Sequence, residues 1–159
     1  MNQVMTKLQN STFHNLFRSF TPSSRAAILF AVPFTLVDAI HYYTAGSALI
    51  FSFPLMGLIY LLCGALAAWL AHLDGQELGK LPAAGRSAGL RLWLTSTVIN
   101  TLLALILGFA SLGITLLGGA VYLCLFAPLH ALGSALVGWV GAWIYQQYLQ
   151  RTSLSQSSQ

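Results

Sequence analysis

PLMGLIYLLCGALAAW, residues 54–69, and PLHALGSALVGWVGAW, residues 128–143, write nearly the same apolar sentence twice. Aligned without gaps they share Pro54/Pro128, Leu55/Leu129, Leu58/Leu132, Leu62/Leu136, Gly64/Gly138, Ala68/Ala142 and Trp69/Trp143. Each copy opens on a proline, whose missing N–H is harmless in the first turn of a helix. Leucines three and four apart then form a ridge along one helix face. Gly64 and Ala68, and again Gly138 and Ala142, are small residues four apart, the spacing that lets two helices approach closely in lipid. The expectation is a duplicated helical hairpin. Its second and fourth helices pack a leucine ridge and a small-residue face, either on each other about a pseudo-two-fold axis or each on a neighbouring subunit. Convergent membrane vocabulary is the alternative, because the stretches that precede the two copies match little beyond a basic start.

Composition points the same way. Of 159 residues, 57% are hydrophobic and only 6% charged, and the mean hydropathy is +0.73, values that belong to a membrane protein rather than a water-soluble domain. The seven cations, Lys7, Arg18, Arg25, Lys80, Arg86, Arg91 and Arg151, lie before the first apolar run, in the central polar stretch or in the tail. Positive residues retained on the cytoplasmic side explain this excess, so no nucleic-acid partner is needed. Cys63 and Cys124 both sit inside apolar runs, which leaves neither a disulfide framework nor a zinc spacing. No short apolar segment followed by a small-residue cleavage site opens the chain, so the first spanning helix is expected to do the targeting.

The expected fold is an all-α integral membrane protein with four transmembrane helices in two tandem hairpins. Spans are read at about 26–45, 52–73, 92–111 and 119–147, with a cytoplasmic loop over 74–91. Residues 1–24 form a cytoplasmic or interfacial segment. In it Phe13, Leu16, Phe17 and Phe20 recur at the spacing of a short amphipathic helix, or mark a tail with a few apolar residues. Ser23 or Ser24 offers the cap of the first span. Residues 149–159 read as a flexible polar tail. The segment 112–127 stays open between the start of a long fourth helix, a re-entrant dip and a fifth crossing. Four crossings put both termini and all seven cations on the cytoplasmic side of the inner membrane. Trp69, Trp93, Trp143 and Tyr145 then mark that border, and Tyr42 and Tyr43 the other.

An acid within a span is costly, by about 2.5–3.5 kcal/mol on insertion scales, so Asp38 must be paired or protonated. Thr35, His41 and Tyr42 lie at i−3, i+3 and i+4 from it and extend a polar strip along one face of the first helix. That strip can bind a cation or proton, or it can simply pair helices. On the third helix Asn100 is expected near mid-membrane, more as a hydrogen-bonding link between helices than as a ligand. His130 replaces Met56 in the repeat, and histidine with methionine is a known axial pair for haem, so His130, Met56 and His41 are candidate haem or metal ligands. No cofactor is otherwise indicated. With three acids in the chain and no phosphate loop or nucleophile elbow, catalysis has almost no candidates. The leading expectation is a non-enzymatic transport or permeation module that acts as a homo-oligomer or with a larger membrane-protein partner. The alternatives are an accessory or assembly subunit of a larger membrane complex, of electron-transfer or photosynthetic type, and a haem- or pigment-binding bundle.

Overall fold

A computed structural model describes residues 17–43, 49–107 and 127–157, with side chains for 17–37, 54–102 and 127–155. The described chain is helical throughout apart from short turns. It comprises α1 (Pro22–Tyr43), α2 (Leu49–Leu73), α3 (Leu81–Leu107) and α4 (Ala127–Ser157), with a 3-10 turn at Leu78–Lys80. Most of the expected N-terminal amphipathic segment, the turn after α1 and the segment 108–126 lie outside the described residues.

The helix ends follow from local chemistry. Thr21 caps α1: its Oγ1 accepts the Ser24 N–H at 3.3 Å, and Pro22 occupies the first helical position, where it loses no hydrogen bond. The cap is therefore Thr21 rather than Ser23 or Ser24, because proline lets the helix begin earlier. At the end of α2, Gly75 takes φ +80. Its N–H donates to the His72 carbonyl, and the Gln76 N–H reaches back to the Ala71 carbonyl, the paired closure of a Schellman motif.

Several boundaries differ from the sequence reading, and α2 begins at Leu49, so that Pro54 lies inside the helix rather than opening it. The stretch read as a loop to residue 91 is helical from Leu81, so its glycines Gly85 and Gly89 lie within α3. Pro82 falls in the first turn, where it does not interrupt the helix. The tail expected to be flexible continues α4 to Ser157. No glycine or proline follows Gly141, and Leu149 packs against the cluster built on Ala68, Ala71, Leu81 and Ala142.

Ser23 of α1 reaches the Ala84 carbonyl near the start of α3, Arg25 pairs with Asp74 just after α2, and Leu149 of α4 packs beside Leu78 and Leu81's cluster. The starts of α1 and α3 and the ends of α2 and α4 thus share one end of the bundle. The helices alternate in direction, as two consecutive hairpins require. Helices α2 and α3 form the central pair, with α1 packed on one side of it and α4 on the other. A strict two-fold relating the hairpins would make α4 meet α1 as α2 meets α3. Instead α1 and α4 scarcely touch, so the repeat in sequence is not a two-fold in packing.

Small side chains make up most of the described interior, around the larger buried Phe34, Ile59, Leu81 and Leu92. Ala26, Ala67, Ala68, Ala71, Ala88 and Ala142 are buried, as are Cys63, Ser96 and Ser134. The leucine ridge expected to pack faces outward: Leu55, Leu58 and Leu62 on α2 and Leu129, Leu132 and Leu136 on α4 are all exposed, the last three by more than 60%. The physical reason is the glycine face. Once Gly64 and Gly138 bring the backbones together, the leucines on the other side of each helix have no neighbour within the chain. Among the described residues two helices, over Pro54–Leu73 and Ala127–Ser155, of 20 and 29 residues, are long and apolar enough to cross a membrane. Pro22–Val37 is a shorter apolar stretch.

Candidate functional site

Gly138 lies where α2, α3 and α4 meet. A Cβ added there would stand 2.5 Å from the Gly85 carbonyl oxygen and 3.2 Å from the Gly89 Cα. A Cβ on Gly64 would collide with the Gly138 carbonyl, one on Gly141 with the Leu61 carbonyl, and one on Gly89 with the Ser134 carbonyl. Gly64 and Gly138, matched in the repeat, thus touch each other across α2 and α4. Ala68 and Ala142, one turn further along, are fully buried. Gly85 and Gly89 complete the junction from α3. Their four-residue spacing is the same signal as in the repeat, hidden because the stretch around them reads as a loop.

A polar cluster closes the end of the bundle where α1 begins. Arg25 is 6% exposed, and its Nη2 donates to Asp74 Oδ2. Asp74 follows the C-terminal end of α2, where the helix dipole also favours a cation. The Arg25 Nε is buried and has no hydrogen-bond partner. Arg91 of α3 donates through Nη1 to Thr21 Oγ1 at 3.2 Å and to Ser24 Oγ, so α1 and α3 are tied at the same level. Ser23 Oγ donates to the Ala84 carbonyl at 2.9 Å. Lys80 and Glu77 pair at 3.1 Å in the open, where such a pair contributes little. Sequence reasoning placed Arg25 at a membrane border but did not find its partner, because nothing local links positions 25 and 74.

The polar strip expected at membrane depth is described only in part. Thr35 is half-buried, and its Oγ1 is enclosed without a hydrogen-bond partner. It borders a groove of about 210 Å³ between α1 and α3, lined by Ala31, Val32, Leu36 and Ile99. Asn100 is half-buried on α3, with its Nδ2 donating to Ser96 Oγ at 3.3 Å. Asp38, His41 and Tyr42 belong to the α1 backbone, but their side chains lie outside the described residues.

Met56 and His130 have different surroundings. Met56 packs against the cluster built on Ala26, Phe34, Ile59 and Cys63, whereas His130 is exposed on α4. Among the described residues no three His, Cys, Asp or Glu side chains converge as a metal-ligand set.

Comparison with protein-family models, curated proteins and solved structures finds no match for this chain.

Proposed function

We propose that the chain is an integral protein of the cytoplasmic membrane that crosses it four times with both termini inside, and that it acts without catalysis as an accessory or assembly subunit of a larger membrane complex. One observation carries the membrane reading: among the described residues the interior is mostly alanine, glycine, serine and cysteine, with Leu81, Leu92, Phe34 and Ile59 the large apolar side chains inside, while most leucines and Trp69, Trp139 and Trp143 face outward. In water, burying a leucine is worth about 1.5–3 kcal/mol, and a soluble bundle would collect that gain by turning the ridge inward. In lipid the ridge costs nothing where it is, and small residues hold the helices together. The subunit reading is supported by the centre of the bundle, where backbone contact at Gly64, Gly138 and Gly85 leaves the outer surface as the part free to act.

Transport or permeation is a second reading, supported by the enclosed Thr35 hydroxyl beside the α1–α3 groove, one turn before Asp38. A path would then run between copies of the chain or between the chain and a partner. Haem or pigment binding has less support, since Met56 turns into the apolar cluster and His130 is exposed. The protein purified in mild detergent is expected to co-purify with a larger membrane protein and to give no ion or proton flux alone in liposomes. Flux from the pure chain that is lost in Asp38→Asn would replace the subunit reading with the transport one.

A further inference from the structure

We propose that the seam between α1 and α3 binds one anionic phospholipid, its phosphate held at Arg91 and one acyl chain laid along the seam into the groove at Ile99. This rests on the membrane reading above, with the end of the bundle that carries Arg91 at the cytoplasmic border.

The two walls of the seam are set by helical spacing. Ser24, Ile28, Val32 and Thr35 succeed one another at steps of four, four and three on α1, and Arg91, Thr95 and Ile99 at steps of four on α3. Both helices start at the same end, so the two rows run in the same direction. At that end, the exposed Arg91 is fixed by hydrogen bonds to Thr21 and Ser24, so part of its guanidinium is already oriented and the rest faces outward. A planar guanidinium suits phosphate oxygens, and basic sites between helices on the cytoplasmic side suit anionic headgroups.

Further along, polarity gives way to apolar surface. Ile28 and Val32 are exposed at 49% and 69%, and the groove of about 210 Å³ opens between Ala31, Val32, Thr35, Leu36 and Ile99. From Ser24 to Val32 is eight residues, about 12 Å along the helix. A phospholipid presents the same sequence of chemistry over that distance, with a charged phosphate, then a glycerol region, then an acyl chain. The groove is apolar along its described lining, and the charge at the head of the seam, Arg91, is positive. An anionic lipid therefore fits both parts, whereas a free anion uses only the first and a zwitterionic lipid is weakly drawn to it.

The test uses the full chain, delipidated in mild detergent and examined by native mass spectrometry with phosphatidylglycerol or phosphatidylcholine as probe. The phosphatidylglycerol adduct is expected to dominate and to weaken about tenfold in Arg91→Gln, the loss of a charge-assisted contact. Arg91→Lys should restore part of it. Ile99→Trp, which fills the groove and alters no charge, should weaken it as well. Arg86→Gln, about 140° around the same helix, should leave it unchanged. Inorganic phosphate should not displace the lipid. The proposal fails if Arg91→Gln and Ile99→Trp both retain the adduct, or if Arg86→Gln weakens it equally and the attraction is diffuse. It also fails if phosphate displaces the lipid while Ile99→Trp is silent, because the site then takes a free anion. Carbonate extraction of the membranes separates the two readings. Protein lost on extraction overturns the membrane reading itself, and protein retained without a phosphatidylglycerol preference overturns the lipid site alone.

Discussion

At the scale of single residues, the bundle depends on positions with no side chain at all. Gly64 and Gly133 sit on corresponding long apolar helices, but a methyl group on Gly64 would enter the Gly138 carbonyl, whereas one on Gly133 meets nothing within 4 Å. Gly64→Ala must push α2 away from α4 and is expected to cost about 1–3 kcal/mol, as overpacking does. Gly133→Ala is expected to be neutral or to stabilise by about 0.5–1 kcal/mol through the backbone freedom it removes from the unfolded chain. Thermal unfolding followed by circular dichroism in detergent distinguishes them, and equal midpoints would show that the helices do not meet at Gly64. That Gly64 and Gly138 are packing positions was legible from their place in a repeat. That Gly85 and Gly89 join them was not, because glycines among Lys80, Pro82 and Arg86 read as a turn. Arg25 shows the opposite limit: the sequence placed a cation at the head of a helix, and only the fold brought Asp74 to it.

At the scale of elements, the ends of the helices are fixed by short local patterns. Gly75 holds a left-handed conformation that allows two backbone closures at the end of α2, and Asp74 beside it meets Arg25. Gly75→Ala should cost about 1–2 kcal/mol, the penalty of a Cβ in that region, and should loosen the Arg25 contact with it. The check is hydrogen exchange over 70–76, which rises if the closure is lost and stays flat if the turn tolerates alanine. Proline at the first position explains why α1 starts at Pro22, and the absence of breakers after Gly141 explains why α4 continues to Ser157. Thr21, Ser23 and Ser24 all suit a cap, so the sequence alone leaves the start of α1 open within one turn. The continuation of α4 was masked by the polarity of the tail, which signals exposure rather than loss of helix.

At the scale of the whole molecule, the decisive property is which way the large side chains face. Leu132 is 69% exposed on α4, at the middle of an outward row of leucines and tryptophans. Leu132→Lys should therefore be tolerated if water surrounds the bundle, and should cost about 2.5–3.5 kcal/mol of insertion if lipid does. Membrane-fraction yield in cells is the measure, and an unchanged yield would remove the membrane reading. The sequence by itself determined that the chain is helical and apolar and that two of its apolar stretches read nearly alike, because periodicity, composition and small-residue spacing are properties of neighbours along the chain. Only the tertiary structure decided that the two similar stretches meet through their glycines and leave their leucines outside, that α3 supplies the third wall of that junction, and that α1 and α4 stay apart. The reason is geometric: a small-residue face and a leucine face occur on the same helix at the same period, and nothing in a single helix says which one its neighbour will choose.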